Sequence, residues 1–282
     1  MLHRVVRGIQ VPSFCYGTAW KEERTEELTA LAVGAGFRAI DTANQRRHYV
    51  EANVGAALGR LLASGAIRRD ELFLQTKFTY ARGQDHRLPY DPSAPIGRQV
   101  EQSFASSLEH LRTPYIDSYL LHGPMTAHGL TAADVEAWRA METIQASGRA
   151  RILGISNVSL DQLRDLHDLA AVAPAVVQNR CYARDGWDRE IRAFCREHEI
   201  IYQGFSLLTA NPHELERAAI DGIMQRTGRT RAQLVFRFAL QVGMMPLTGT
   251  SSLDHMREDL AVFDFELAAA DVEAIEAIGQ RR

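Results

Sequence analysis

The chain has 282 residues, 24% charged and 46% hydrophobic, with a formal net charge of −3 at pH 7. That balance excludes an intrinsically disordered chain and shows none of the basic excess of a nucleic-acid-binding surface. No apolar run approaches ~18 residues and no charged-then-apolar leader opens the chain, so a soluble, cytoplasmic protein without a membrane partner is expected.

Taken in order, residues 4–11 (RVVRGIQV) read as a hairpin turning near Gly8, and residues 13–17 as a first core strand. Residues 21–36 show helical spacing at Leu28, Leu31, Ala32 and Ala35 with a glycine stop. Strand and helix then alternate: strand 37–41 and helix 51–62, strand 72–77 and helix 96–111, strand 116–121 and helix 132–147. The pattern continues with strand 152–155 and helix 160–169, strand 175–178 and helix 188–197, then strand 200–205 and helix 214–227. A helix at 231–242 precedes the last strand, 245–248, and two short helices near 253–260 and 268–278 follow. Eight strand–helix units of ~30 residues predict an α/β fold, a closed (β/α)8 TIM barrel with a short N-terminal hairpin, as one domain over residues 1–282. A doubly wound open sheet is the alternative, but no GxGxxG follows any strand. The connection 78–95 is the one long loop; it leaves a strand, so it belongs to the face where barrel enzymes do chemistry, and loops of that length are functional or mobile.

The chain is organised around residues 36–59, GFRAIDTANQRRHYVEANVGAALG, where Asp41 ends a buried strand and Tyr49 precedes an amphipathic helix. In a barrel the carboxyl ends of all strands converge on one mouth. Here they carry Asp41, Lys77, His122, Ser156 and Asn157, Gln178, Phe205 and Ser206, and the run Thr248-Gly249-Thr250-Ser251. The only lysines are Lys21 and Lys77, and an ammonium at a buried strand end needs a counter-charge, for which Asp41 on the neighbouring strand is the candidate. A lysine so placed stabilises a nearby phenolate. Asp41, Tyr49, Lys77 and His122 together would make a proton donor with its tuning groups. Taken singly, each has a plainer reading: a helix cap, a packing aromatic, a snorkelling lysine, a core histidine. The three cysteines, Cys15, Cys181 and Cys195, are widely spaced without CxxC and read as reduced thiols. No HxH or HExxH pattern surrounds His122, and His110 and His128 should lie off the mouth, so no metal is expected.

Over essentially its whole length the chain resembles the aldo-keto reductases, through GFRAIDTA with VGAAL, LFLQTKF, YIDSYLLHGP, GISNVSLDQL, AVVQNRCY, GFSLL and GTSSLDHMREDL in that order. The resemblance implies an NAD(P)(H)-dependent oxidoreductase that reduces an aldehyde or ketone to an alcohol, or the reverse, with a tyrosine as general acid. It implies Asp41, Lys77 and His122 as the groups around the substrate carbonyl. It implies Ser156, Asn157 and Gln178 at the nicotinamide carboxamide, Ser206 and Leu208 at the pyrophosphate, and Thr250, Ser251, Glu258 and Asp259 at the adenosine half. Thr18, Phe205, Thr248, Gly249 and His255 complete the expected cofactor-binding set.

Three positions depart from the family. The tyrosine usually found five residues after the aspartate is Arg46 here; Tyr49 stands eight residues on, and its spacing to Val54-Gly55 suggests two extra residues in the loop. Tyr49 is read as the displaced acid, with Tyr80, Tyr90 or His122 as donors if it packs on the helix instead. The aromatic that stacks on the nicotinamide is Phe205, which keeps stacking and loses a hydroxyl. The family's lysine and arginine that clamp the 2′-phosphate align with Gly249 and His255, so NADP(H) is the family default and NAD(H) is more open. Arg46, Arg47, His48, Arg82, His86 and Arg87 in two mouth loops could favour an anionic carbonyl substrate. The chain ends soon after its last helix, and an open site is expected. A cofactor-binding regulatory subunit or redox sensor on the same fold is the alternative function.

Overall fold

The short apolar runs close into a barrel because each is flanked by a helix that covers its outer face. A computed structural model of the protein describes residues 3–279; the outermost residues of the expected 1–282 domain, 1–2 and 280–282, lie outside the described residues. Strands β1 (His3–Val6) and β2 (Ile9–Pro12) form the antiparallel hairpin. The turn between them places Arg7 and Gly8 at φ of 48° and 77°. The chain continues through β3 (Cys15–Gly17), α1 (Thr25–Ala35), β4 (Ala39–Asp41), α2 (Glu51–Ala63), β5 (Phe73–Phe78) and α3 (Ile96–Leu111). Next come β6 (Ile116–Leu121), α4 (Ala132–Ala146), β7 (Ala150–Ser156), α5 (Leu160–Leu169), β8 (Val176–Arg180) and α6 (Arg189–Glu197). Then follow β9 (Ile201–Phe205), α7 (Ala218–Thr227), α8 (Arg231–Gln241), β10 (Met245–Thr248), α9 (Leu253–Leu260) and α10 (Ala269–Glu276).

Eight strands pair in the order β10-β3-β4-β5-β6-β7-β8-β9 and close on themselves, all parallel. This is the expected (β/α)8 barrel with an N-terminal hairpin. The differences are local. The first turns of the helices expected at 21–36 and 214–227 are 3₁₀ turns, Glu22–Arg24 and Glu214–Glu216, tighter windings common at helix starts. The strand expected from 37 begins at Ala39, because Phe37 N bonds back to Ala32 O at 3.0 Å and closes the end of α1.

Side chains alternate along each strand, so the barrel interior has its own sequence of layers. Its amino end is apolar: Cys15, Ala39, Phe73, Ile152 and Ile201 belong to one cluster, and Val11 with Val6 and Ile9 of the hairpin stoppers them. Arg4 Nη1 donates to Gly243 O at 2.7 Å and Arg7 Nη2 to Pro174 O at 3.2 Å, which pins that stopper to the barrel rim. Two residues along β5 from Phe73 stands Gln75, and two further Lys77; both are fully buried, and here the interior becomes polar. The larger core lies between strands and helices, where Trp138, Tyr119, Phe104 and Leu163 are buried, each contributing roughly 1.5–3 kcal/mol.

The 78–95 connection is pinned rather than loose. Tyr80 OH donates to Asp134 Oδ1 at 2.9 Å, Tyr90 OH to Thr79 O at 2.7 Å, and Gln84 Nε2 to Asn44 O at 2.6 Å. Both phenols are thereby committed. Among the described residues no helix is long and apolar enough to cross a membrane.

Candidate active site

At the carboxyl end of the barrel opens a cavity of about 1310 Å³. Asp41 ends β4 and Lys77 stands near the end of β5. The Lys77 ammonium, with no solvent exposure, donates to Asp41 Oδ1 and Oδ2 at 2.7 Å each and to Thr42 O at 2.8 Å. All three ammonium hydrogens therefore have partners, the condition for holding a cation in a low-dielectric interior.

Tyr49 arrives over these groups despite its displacement. Gln45 O accepts from both His48 N (3.1 Å) and Tyr49 N (3.0 Å), so residues 45–49 close a tight turn. The turn leaves Arg47 exposed and Arg46 half-buried at its tip. Tyr49 returns with its ring centroid 5.3 Å from Lys77 Nζ and 6.1 Å, edge-on, from the His122 ring. The helix start that follows is anchored by buried Glu51, which accepts from the Thr76 hydroxyl, from Ser107 Oγ at 3.1 Å and from His110 Nδ1 at 3.4 Å. Burial raises the Tyr49 phenol above its ordinary value; the Lys77 ammonium opposes this and the Asp41 charge adds to it. Burial, then Lys77 and His48, holds the His122 imidazole well below its usual range, so His122 is neutral near pH 7. His122 Nδ1 lies 2.7 Å from Thr79 Oγ1, whose hydroxyl has no other partner among the described residues. With that hydroxyl donating, Nε2 carries the ring proton.

The cavity lining includes Asp41, Tyr49 and His122, and Ser156, Asn157, Gln178, Phe205, Ser206, Leu208, Thr248, Gly249, Thr250, His255, Glu258 and Asp259 along its length. Thr18 and Ser251 do not line it. Thr18 is fully buried with Oγ1 bonded to Asp41 O at 3.0 Å, so it braces the strand end instead of facing a cofactor, and Ser251 is exposed outside the lining. Ser156 Oγ donates to Gln178 O at 2.6 Å, and Asn157 Nδ2 donates to His122 O at 2.8 Å, tying the ends of β6, β7 and β8 together. Asn157 and Ser206 sit at φ of 52° and 56°, strained for non-glycine residues and both on the cavity rim.

The loop arginines are not in the lining. Arg82 is bonded to Pro124 O, Arg87 is closed on Asp85 and Arg46 O, and neither Arg46 nor Arg47 reaches the cavity. What lines that wall is aromatic: Trp20, 68% exposed, stacks on His48 with ring centroids 3.9 Å apart. Sequence reasoning assigned no role to Trp20 or to Lys21. Lys21 lines the cavity, its ammonium donates to Gly249 O, and its Nζ is 3.6 Å from where a side chain at 249 would begin. Its rarity, as one of two lysines, was the only available signal.

A family model described as "Aldo/keto reductase family" matches residues 14–280. The chain belongs to the aldo/keto reductase family. With membership comes an oxidoreductase role. An uncharacterized oxidoreductase of Bacillus subtilis (strain 168), YtbE, is 29% identical over 275 residues, covering 97% of this chain and 91% of that protein. An aldo-keto reductase of Mycolicibacterium vanbaalenii is 30% identical over 260 residues, covering 92% and 85%. The crystal structure of an aldo/keto reductase from Brucella melitensis superposes with a TM-score of 0.82 at 26% identity, over 98% of this chain and 99% of that one.

The cavity also passes a test of fit to a nicotinamide nucleotide. Its volume of about 1310 Å³ has room for one, Phe205 offers a flat apolar face, and Gln178 lines it with an amide oxygen that has no partner among the described residues. The other end gathers Lys21, Thr250 and His255, a donor set suited to phosphate oxygens.

Proposed function

We propose that the protein is a cytoplasmic NAD(P)(H)-dependent reductase that converts an aldehyde or ketone to an alcohol, or runs the reverse. The observation that carries this reading is the Tyr49 ring beside a buried Lys77–Asp41 pair and a neutral His122, at the wall of one long cavity. A nicotinamide nucleotide bound in that cavity supplies the hydride. Tyr49 holds the proton that the carbonyl oxygen takes up, Lys77 lowers the cost of the phenolate left behind, and Asp41 keeps Lys77 charged. His122 Nε2–H donates to the same oxygen and orients it.

Ser156, Asn157 and Gln178 would hold the carboxamide, Phe205 would stack on the ring, and Ser206 with Leu208 would border the pyrophosphate. At the adenosine half the strand-end cation is missing at Gly249, but Lys21 from the β3–α1 loop stands in the same place, which supports NADP(H). The Trp20–His48 stack favours a flat, apolar carbonyl compound over a carboxylated one. The displaced tyrosine was the one feature that favoured a binding-only regulatory role, and the 45–49 turn returns it to the lysine. A thiol-based sensor also gains no support: all three cysteines are buried, and burial pushes Cys181 and Cys195 to about 12.

The test is to titrate NADPH and NADH by fluorescence and then follow absorbance loss with a panel of aromatic, aliphatic and carboxylated aldehydes and ketones. Turnover on the aromatic members, with kcat/KM above that for their carboxylated analogues, is expected. Nucleotide binding without turnover on any member would contradict the reading.

A further inference from the structure

Below the Lys77–Asp41 pair lies a layer of three buried glutamines, Gln75, Gln178 and Gln203, from β5, β8 and β9. Strand register places them together: Gln75 pairs with Asp41, and Gln178 with Gln203. Their hydrogen bonds use every amide hydrogen. Gln75 Nε2 donates to Asp41 Oδ1 at 2.7 Å and to Gln203 Oε1 at 2.8 Å. Gln178 Nε2 donates to Asp41 Oδ1 at 3.1 Å and to Gln203 Oε1 at 2.8 Å. Gln203 Nε2 donates to Gln75 Oε1 at 3.1 Å and to Met245 Sδ at 3.5 Å.

An amide side chain can present either its oxygen or its nitrogen to a neighbour, and nothing in its shape decides which. Here one charge decides. A carboxylate only accepts, so both Gln75 and Gln178 must show Asp41 their NH2 groups. The second hydrogen of each then falls on Gln203 Oε1, filling both lone pairs of that oxygen. Gln203 must therefore turn its own NH2 to Gln75 Oε1. One acceptor is left without a partner in the layer, Gln178 Oε1, and Gln178 lines the cavity.

We infer that Gln203, and Gln75 through it, are positioning residues that hold the Gln178 amide in the orientation the Asp41 carboxylate selects, so that the cavity meets an acceptor selective for the NH2 of a nicotinamide carboxamide. This inference rests on the proposed nucleotide-dependent function. Neither residue reaches the cavity, so each acts only through Gln178 and Asp41. Aligned as they are, the two link the group that holds the carboxamide to the carboxylate that holds Lys77.

The experiment compares binding of NADP+ with that of its 3-acetylpyridine analogue, in which a methyl group replaces the carboxamide NH2, by quenching of tryptophan fluorescence. Wild type is expected to prefer NADP+ by about tenfold, the worth of one well-made hydrogen bond to a buried acceptor. In Gln203→Met and in Gln75→Met, which keep length but cannot fix the amide, that ratio should fall below about threefold. Affinity for the acetyl analogue should change little. A wild-type ratio near one, or a ratio unchanged in either folded variant, would overturn the inference, and the wild-type ratio decides alone if neither variant folds. Failure to bind either nucleotide would instead sink the proposed function.

Discussion

The Lys77 ammonium survives without solvent because two carboxylate oxygens and a carbonyl stand within 2.8 Å of it. Removing one partner strands the other, so Asp41→Asn should cost about 3–5 kcal/mol in urea unfolding and abolish most turnover. The Tyr49 phenol, raised mainly by burial, stays protonated through neutral pH. As the proposed acid of reduction it would be competent below its pKa. The reductive rate should therefore be flat across neutral pH and fall only toward ~10 or above, while alcohol oxidation, which needs the phenolate, should rise over the same range. A reductive limb near pH 7 in kcat would contradict this. Burial also raises the Asp259 carboxyl, to about 6, against relief from Thr248 Oγ1 at 2.8 Å. Its folded state binds the proton more tightly than the unfolded chain, so its contribution is present below ~4 and is lost as pH rises through 6. Asp259→Asn should then stabilise the protein by about 1–3 kcal/mol at pH 8 and little at pH 4, as read by thermal unfolding. Lys21→Ala should weaken NADPH binding at least tenfold more than NADH binding if its cation meets the 2′-phosphate. Asp41, Lys77 and His122 were legible in the chain because strand ends converge in a barrel. Lys21 was not, since a loop residue's reach across to Gly249 leaves no periodic trace.

The element that places the proposed acid is the short turn at residues 45–49. Spacing along the chain placed Arg46 where the family has tyrosine, and only the hydrogen bonds from His48 N and Tyr49 N to Gln45 O show how the turn brings Tyr49 back toward Lys77. The start of α2 is the other half of that device, because Glu51 fastens it to Thr76 on β5 and to Ser107 and His110 on α3. Glu51→Ala leaves those buried donors unpaired. It should cost roughly 2–4 kcal/mol and lower kcat several-fold through misplacement of Tyr49, with nucleotide affinity intact. Equal loss of nucleotide affinity would show that the helix supports the whole cavity instead. The loop 79–95 shows the opposite limit of sequence reading. Its length suggested a functional or mobile segment, but the partners of Tyr80 and Gln84, Asp134 and Asn44, come from distant segments, and the closure of Tyr90 on Thr79 within the loop has no periodic signal.

Across the molecule, the barrel was legible because eight strand–helix units of regular length admit few other closures. The interior layers were not, since a buried glutamine in an apolar strand looks like any polar interruption until its neighbours are known. Close helix packing around the barrel sets the tolerance for change. A Cβ at Gly55 would lie 2.0 Å from His110 O and 2.8 Å from Leu111 Cα, backbone atoms that cannot step aside. The central claim is that Tyr49, returned by its turn, is the proton donor of a reductase. Its most direct test is Tyr49→Phe beside wild type, with NADPH binding and single-turnover reduction of an aromatic aldehyde measured on both. The account predicts unchanged nucleotide affinity and a rate lowered by about 10²–10⁴. Full activity in the variant would show that another group carries the proton.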